Sequence, residues 1–161
     1  MLVTVSREDA ARLLVEAVRY AVGRPGFVVE AVCDAAEQLL RALTIAEADE
    51  IAAAIDAGDT DDALGSQADQ DHWRRLRRQL HERTLVGAPE QVPLIGRDLA
   101  LLCACAEQQT ETLAAAEQED VRARIARCRE SLPPEEQTAF ADDDVADATS
   151  RRPARLKTTT P

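Results

Sequence analysis

The sequence predicts an all-α protein: a bundle of about four short helices, then one long helix or a helical hairpin, then a disordered C-terminal tail. Three observations predict it. Alanine is abundant while aromatic residues make up 2% of the chain, and alanine loses no side-chain entropy in a helix. Apolar residues recur three and four apart instead of alternating. Helix-start signals stand before these stripes, at Ser6, Thr44 and Ser66.

The elements follow in order. Ser6, with Asp9 three residues on, reads as the N-cap of a first helix whose buried face carries Ala10, Leu13, Leu14, Ala17, Val18, Ala21 and Val22. Gly23 to Gly26, which includes Pro25, ends it. A second helix is expected from about Phe27 to Leu43, with Val28, Val32, Ala35, Ala36, Leu39 and Leu43 inward. Thr44-Ile45-Ala46-Glu47 is a capping-box pattern. It opens a third helix with the stripe Ile45, Ala48, Ile51, Ala52 and Ile55, closed by Gly58. Asp59 to Ala68 reads as an acidic loop. A fourth helix, capped at Ser66, brings Trp73, Leu76 and Leu80 inward and runs to about Leu85.

Val86 to Pro93 contains Gly87, Pro89 and Pro93, so it reads as a linker. Beyond it, Ile95, Leu99, Leu102, Ala106, Leu113, Val121, Ile125 and Cys128 allow one helix from Leu94 to Ser131. A break near Thr110 to Thr112 would make a hairpin instead, and packing back is favoured over projection because the stripe weakens at Gln109 and Glu117. Pro133-Pro134 stops the segment, Glu135 to Phe140 allows a short turn, and the chain from Ala141 reads as a tail. The expected organisation is a bundle over residues 1–88, a long helix or hairpin packing on it over 89–140, and the tail over 141–161.

Net charge is −11 and the isoelectric point about 4.6. Such a surface repels nucleic acid and anionic membrane on average. Residues 1–10 carry no apolar run of signal-peptide type. The longest apolar stretch, Leu99 to Ala106, is far short of the roughly 20 residues a membrane helix needs. A cytoplasmic location with four reduced thiols is therefore expected.

No chemistry announces itself. Cys103 and Cys105 are two apart, which on a helix points them to nearly opposite sides and denies them one shared metal ion. Cys33 and Cys128 lack neighbouring ligands, and His72 and His81 are badly spaced for a site. No nucleophile elbow, glycine-rich phosphate loop or H-E-x-x-H motif is present. The expectation is no cofactor, no metal and no enzyme, with an enzyme assembled from scattered residues kept as an alternative.

The sharpest signal is charge segregation. Glu47 to Asp71 is acidic without a basic residue, whereas His72 to Leu85 holds five arginines against Glu82 alone. The candidate interaction residues are therefore Glu47, Glu50, Asp56, Asp59, Asp61, Asp62, Asp69, Trp73, Arg74, Arg75 and Arg78. The plainer explanation is that segments of opposite sign lie side by side and neutralise each other. Trp73 is either a core anchor or an exposed hot spot, and burial separates the two.

The stretch Ala17-Val18-Arg19-Tyr20-Ala21-Val22-Gly23-Arg24, followed by Val28-Val29, the Ile51/Ile55 stripe, Asp71 and Trp73, resembles an F-R-Y-A-L-G-R pattern found in a group of short phage and mobile-element proteins. The resemblance spans about residues 6 to 82 and brings no activity or site residues with it. It implies a phage or prophage context. The expected function is a non-enzymatic interaction module, with binding and inhibition of a host protein of defence or nucleic-acid handling as its expected form. The expected partner is a host or phage protein, with self-association through 94–131 possible, nucleic acid improbable and no membrane. An accessory nucleic-acid-binding role for the Arg74 to Arg83 face is the alternative.

Overall fold

The computed structural model describes residues 1–22, 24, 27–58, 67–83 and 87–137. Along the chain come β1 (Leu2–Ser6), α1 (Arg7–Ala21), α2 (Phe27–Glu37), α3 (Ile45–Ala57), α4 (Gln67–Glu82), β2 (Gln91–Ile95), α5 (Gly96–Thr110), α6 (Ala115–Glu130) and α7 (Pro134–Gln137). The protein is mostly helical, as the sequence predicts. Residues 59–66 of the loop expected over Asp59 to Ala68 and the tail over 141–161 lie outside the described residues, while Gln67 and Ala68 already belong to α4.

Two strands depart from expectation. Residues 91–95, which span the end of the expected linker and the first two residues of the expected long helix, form a strand that pairs antiparallel with β1, Leu2 opposite Ile95 and Ser6 opposite Gln91. Both strands alternate. Val5, Val92 and Leu94 are buried on one face, and Leu2, Thr4, Gln91, Pro93 and Ile95 are exposed on the other. Pro93 survives here because of register. Gly96 N–H donates to Met1 O and Arg7 N–H donates to Glu90 O, which places the ladder bonds at odd β1 positions. Pro93 faces Thr4, a non-bonded pair, so its missing N–H points away from β1.

Local signals set the helix ends. Ser6 Oγ accepts from the Asp9 N–H (3.4 Å) at the start of α1. Thr44 and Glu47 form the full capping box of α3, with Glu47 N–H to Thr44 Oγ1 at 3.1 Å and Thr44 N–H to Glu47 Oε1 at 2.9 Å. Gly58 ends α3, and a Cβ there would overlap the Val22 side chain. α2 is shorter than expected: regular helix stops at Glu37 and turns carry the chain to Ala42, yet Leu39 and Leu43 are still fully buried.

The segment 94–131 is two helices. Thr110 Oγ1 donates to Ala106 O (2.6 Å) and Thr112 Oγ1 donates to Gln109 O (2.8 Å), closing the end of α5 before residues 111–114 reverse the chain. Every residue from Leu99 to Ala106 is buried. α5 is therefore enclosed on all sides, with its most extensive contact against α1 and others to α2, α6 and α7. This consumes the apolar stripe that a coiled-coil pairing through 94–131 would need. α6 buries Val121, Ile125 and Cys128 and leaves the rest of its surface in water. Buried residues of β1, α1–α4, β2, α5 and α6 belong to one continuous core. No helix among the described residues is long and apolar enough to cross a membrane.

Candidate interaction surface

The acidic and basic segments lie on neighbouring helices, α3 and α4, and they neutralise each other in part. Arg77 grips Asp56 through two bonds, Nε to Oδ1 at 2.6 Å and Nη2 to Oδ2 at 2.9 Å. Arg75 reaches Glu37 on α2 (3.3 Å), and Arg74 bonds Gln70 and approaches Asp71 (3.6 Å) along its own helix. Arg83 donates to the carbonyls of Leu43 (2.7 Å) and Leu40 (3.4 Å), oxygens left over where α2 ends. Arg78 is exposed, and beside it Asp71, His72, Arg74 and Arg75 line an open groove of about 550 Å³.

Several candidate residues belong to the fold instead of its surface. Trp73 is 1% exposed: it is the core anchor of α4, so the hot-spot reading is wrong. Asp69 is buried as well, because its position on α4 faces the core four residues before Trp73. Glu47 is spent on the α3 cap and on Arg7, whose Nε donates to it at 3.1 Å. Glu50 is exposed, and Asp56 is exposed but paired. Asp59, Asp61 and Asp62 lie outside the described residues.

The structure brings together a second charged region that the sequence did not suggest. α1, α3 and α6 enclose a groove of about 440 Å³ lined by Arg7, Arg12 and Arg124 and by Glu8, Glu47, Glu50 and Asp120. One of these arginines, Arg124, also reaches Asp9, which is 5% exposed. Arg127 clamps it in a two-bond fork (2.9 and 3.0 Å), and Arg124 adds a third bond at 2.9 Å. Burial pushes the Asp9 carboxyl upward, but the hydrogen bonds and charges of Arg127 and Arg124 outweigh it, leaving the carboxyl below its ordinary value. Two turns on, Glu16 is fully buried. Its Oε2 takes Arg19 at 2.7 Å and Arg12 at 3.5 Å, while Oε1 has no hydrogen-bond partner. Here burial prevails over both arginines and raises the carboxyl.

The motif at Arg19 to Arg24 is likewise absorbed by the fold. Tyr20 is buried, the Arg24 guanidinium stacks 4.0 Å from its ring centroid, and Arg24 also bonds the Tyr20 carbonyl near the end of α1. Arg19 serves Glu16.

All four cysteines are buried, and none is in a disulfide. Burial, with Asp34 nearby, pushes the Cys33 thiol up to about 12. Cys103 is raised by its hydrogen bond to Cys128 and by burial. Neither carries the depressed pKa of a nucleophilic thiol. Among the described residues no group of His, Cys, Asp and Glu is placed to hold a metal ion.

Among the described residues, exposed charge of both signs stays outside any ion pair, Arg41, Arg78 and Arg122 on the basic side. On the acidic side, Asp49 and Glu50 on α3 and Glu30 on α2 are exposed and have no ion-pair partner among the described residues. On α2, burial together with Glu30, Glu37 and Asp98 raises Asp34, the mark of crowded like charge. No family model, curated protein or solved structure matches this chain.

Proposed function

We propose that this protein is a non-enzymatic interaction module that binds a basic surface of a protein partner through the acidic side of α3. In the phage or mobile-element setting that its Arg19 to Arg24 stretch resembles, the partner would be a host protein whose action it blocks. One observation carries the reading. Arg74, Arg75 and Arg77 of α4 are engaged by Asp71, Glu37 and Asp56, whereas among the described residues Glu50, which lines the mixed-charge groove, and Asp49 have no ion-pair partner. A lysine or arginine from a partner could reach Glu50 and the groove rim without displacing an existing ion pair. Arg7, Arg12 and Arg124 in the groove would oppose a second cation, favouring a partner with alternating charge.

Capture of a partner from host lysate by the native protein, repeated with Asp49→Lys/Glu50→Lys, tests this. A specific protein retained by the first and lost by the second, with binding weakened by salt, is the expected result. Undiminished capture by the charge-reversed protein would refute the role of α3. Salt-sensitive retention on RNA or DNA, abolished by Arg74→Glu/Arg78→Glu, would favour the nucleic-acid role of α4 instead.

A further inference from the structure

We propose that the outer edge of β1 is a self-association site, where the strand pairs antiparallel with β1 of a second copy and extends the two-stranded ribbon into a four-stranded sheet.

The ribbon has two edges, and they are treated differently. On β2, Pro93 removes one outward donor and the Gln38 side chain occupies another, its Oε1 accepting from Ile95 N–H at 2.9 Å. That edge is closed to a further strand. On β1, the register turns the N–H and C=O groups of Leu2 and Thr4 outward, since Met1 and Arg7 bond to β2. Among the described residues, neither Leu2 nor Thr4 bonds to anything outside the ribbon. No charge, proline or bulge interrupts Leu2-Val3-Thr4-Val5, so none of these protections guards the edge.

The choice of a second copy follows from the chemistry of this edge. In a protein of net charge −11, most faces would meet their own copies with like-charge repulsion. β1 is uncharged, so two copies can approach edge to edge without opposing charges in the ladder. A two-fold axis at Val3 sets Leu2 against Thr4 of the other copy and satisfies all their outward groups reciprocally. Pairing farther along is disfavoured, because Ser6 is already spent as the cap of α1. The same register covers apolar surface. Leu2 is 65% exposed and sits directly opposite Ile95, itself 43% exposed. The axis sets the two Leu2 side chains diagonally across the new strand pair on the outer face of the sheet, each backed by its own Ile95.

Sedimentation equilibrium across a concentration series tests the proposal. The native protein is expected to rise from 17.5 kDa towards twice that mass. Thr4→Lys and Leu2→Lys, both at exposed positions outside the β1–β2 bonds, should stay monomeric with unchanged helical circular dichroism. Amide exchange gives a second reading that needs no variant. The Leu2 and Thr4 amides should become at least tenfold more protected at high than at low protein concentration, while Val3 and Val5 stay protected throughout. Added salt should leave the dimer intact or strengthen it, unlike the acidic contact proposed for α3. A monomer throughout the series would overturn the proposal. So would a dimer unaffected by Thr4→Lys, or Leu2 and Thr4 amides that gain protection only on adding a foreign extended peptide.

Discussion

Replacing Asp9 with asparagine tests the buried charge cluster most directly. The carboxylate accepts three bonds, two from Arg127 and one from Arg124. Asparagine keeps one acceptor and turns an N–H₂ towards guanidinium donors, so the fork from Arg127 is lost. Breaking a buried ion pair at one partner costs about 3–5 kcal/mol when the stranded charge stays dry. Here it does not: the Arg127 side chain is 56% exposed and can recover water, and Arg124 keeps Asp120 at 3.0 Å. Solvent screening brings the expected loss down to about 2 kcal/mol. In a chain of this size that is a fall in Tm of about 4–8 °C.

Urea unfolding of native, Asp9→Asn, Arg127→Gln and double-substituted proteins supplies the measurement, with the m-value expected to hold constant. The pair should couple by about 1 kcal/mol or more in the cycle. pH dependence gives an independent sign. The folded Asp9 carboxyl lies below its ordinary value, so its contribution is complete above the unfolded pKa of about 4 and is lost as pH falls through the folded value. The native protein should therefore lose stability faster than Asp9→Asn below about pH 4. A loss under about 0.5 kcal/mol at neutral pH, or parallel pH profiles, would refute the view that Asp9 ties α6 to α1 by charge.

Three further outcomes follow from other contacts. Glu16→Gln should stabilise the protein near neutral pH, because burial raises the carboxyl and the native protein loses stability as pH rises through that folded value; calorimetry showing equal or lower Tm for the variant above pH 6 would contradict this. Gly58→Ala should cost about 1–3 kcal/mol by driving a methyl into Val22, and Val22→Ala should restore much of the loss in chemical denaturation; no rescue would mean that the two positions do not collide. Trp73→Ala should cost about 3–5 kcal/mol, whereas Trp73→Phe should cost far less, since it also removes an indole N–H buried without a partner. A tryptophan emission maximum typical of exposed indole in the native protein would contradict that burial.

Signals confined to a few residues were legible in the sequence. Ser6, the Thr44–Glu47 box, Gly58 and the break at Thr110–Thr112 each act within one helical turn, and each ends or begins a helix where its chemistry demands. The strands were harder to see. β1 and β2 are short, separated by four helices, and β2 contains a proline that ordinarily argues for a linker. Only the register shows that Pro93 falls where no ladder donor is needed. Leu99 to Ala106 did carry a clear signal, an apolar run with no polar face, and its meaning was a helix enclosed on every side.

The charge layout was legible in sum and misleading in detail. A run of acidic residues followed by a run of arginines suggests two recognition surfaces, but folding places the runs on adjacent helices and lets Arg77 discharge Asp56 across 21 residues of sequence. The stronger cluster joins Asp9 to Arg124 and Arg127, more than a hundred residues away, and no local pattern marks it. Helical phase was the available clue. Asp9 and Glu16 sit seven apart on α1, on the side occupied by Leu13, Ala17 and Tyr20. A carboxylate in that position must find cations or be expelled, and α6 is the arginine-bearing helix that supplies them to Asp9. Net charge thus overstates the surface available for recognition. For the proposed partner, the carboxylates open to binding are those that neither the core nor the α4 arginines have claimed, and on α3 these are Asp49 and Glu50.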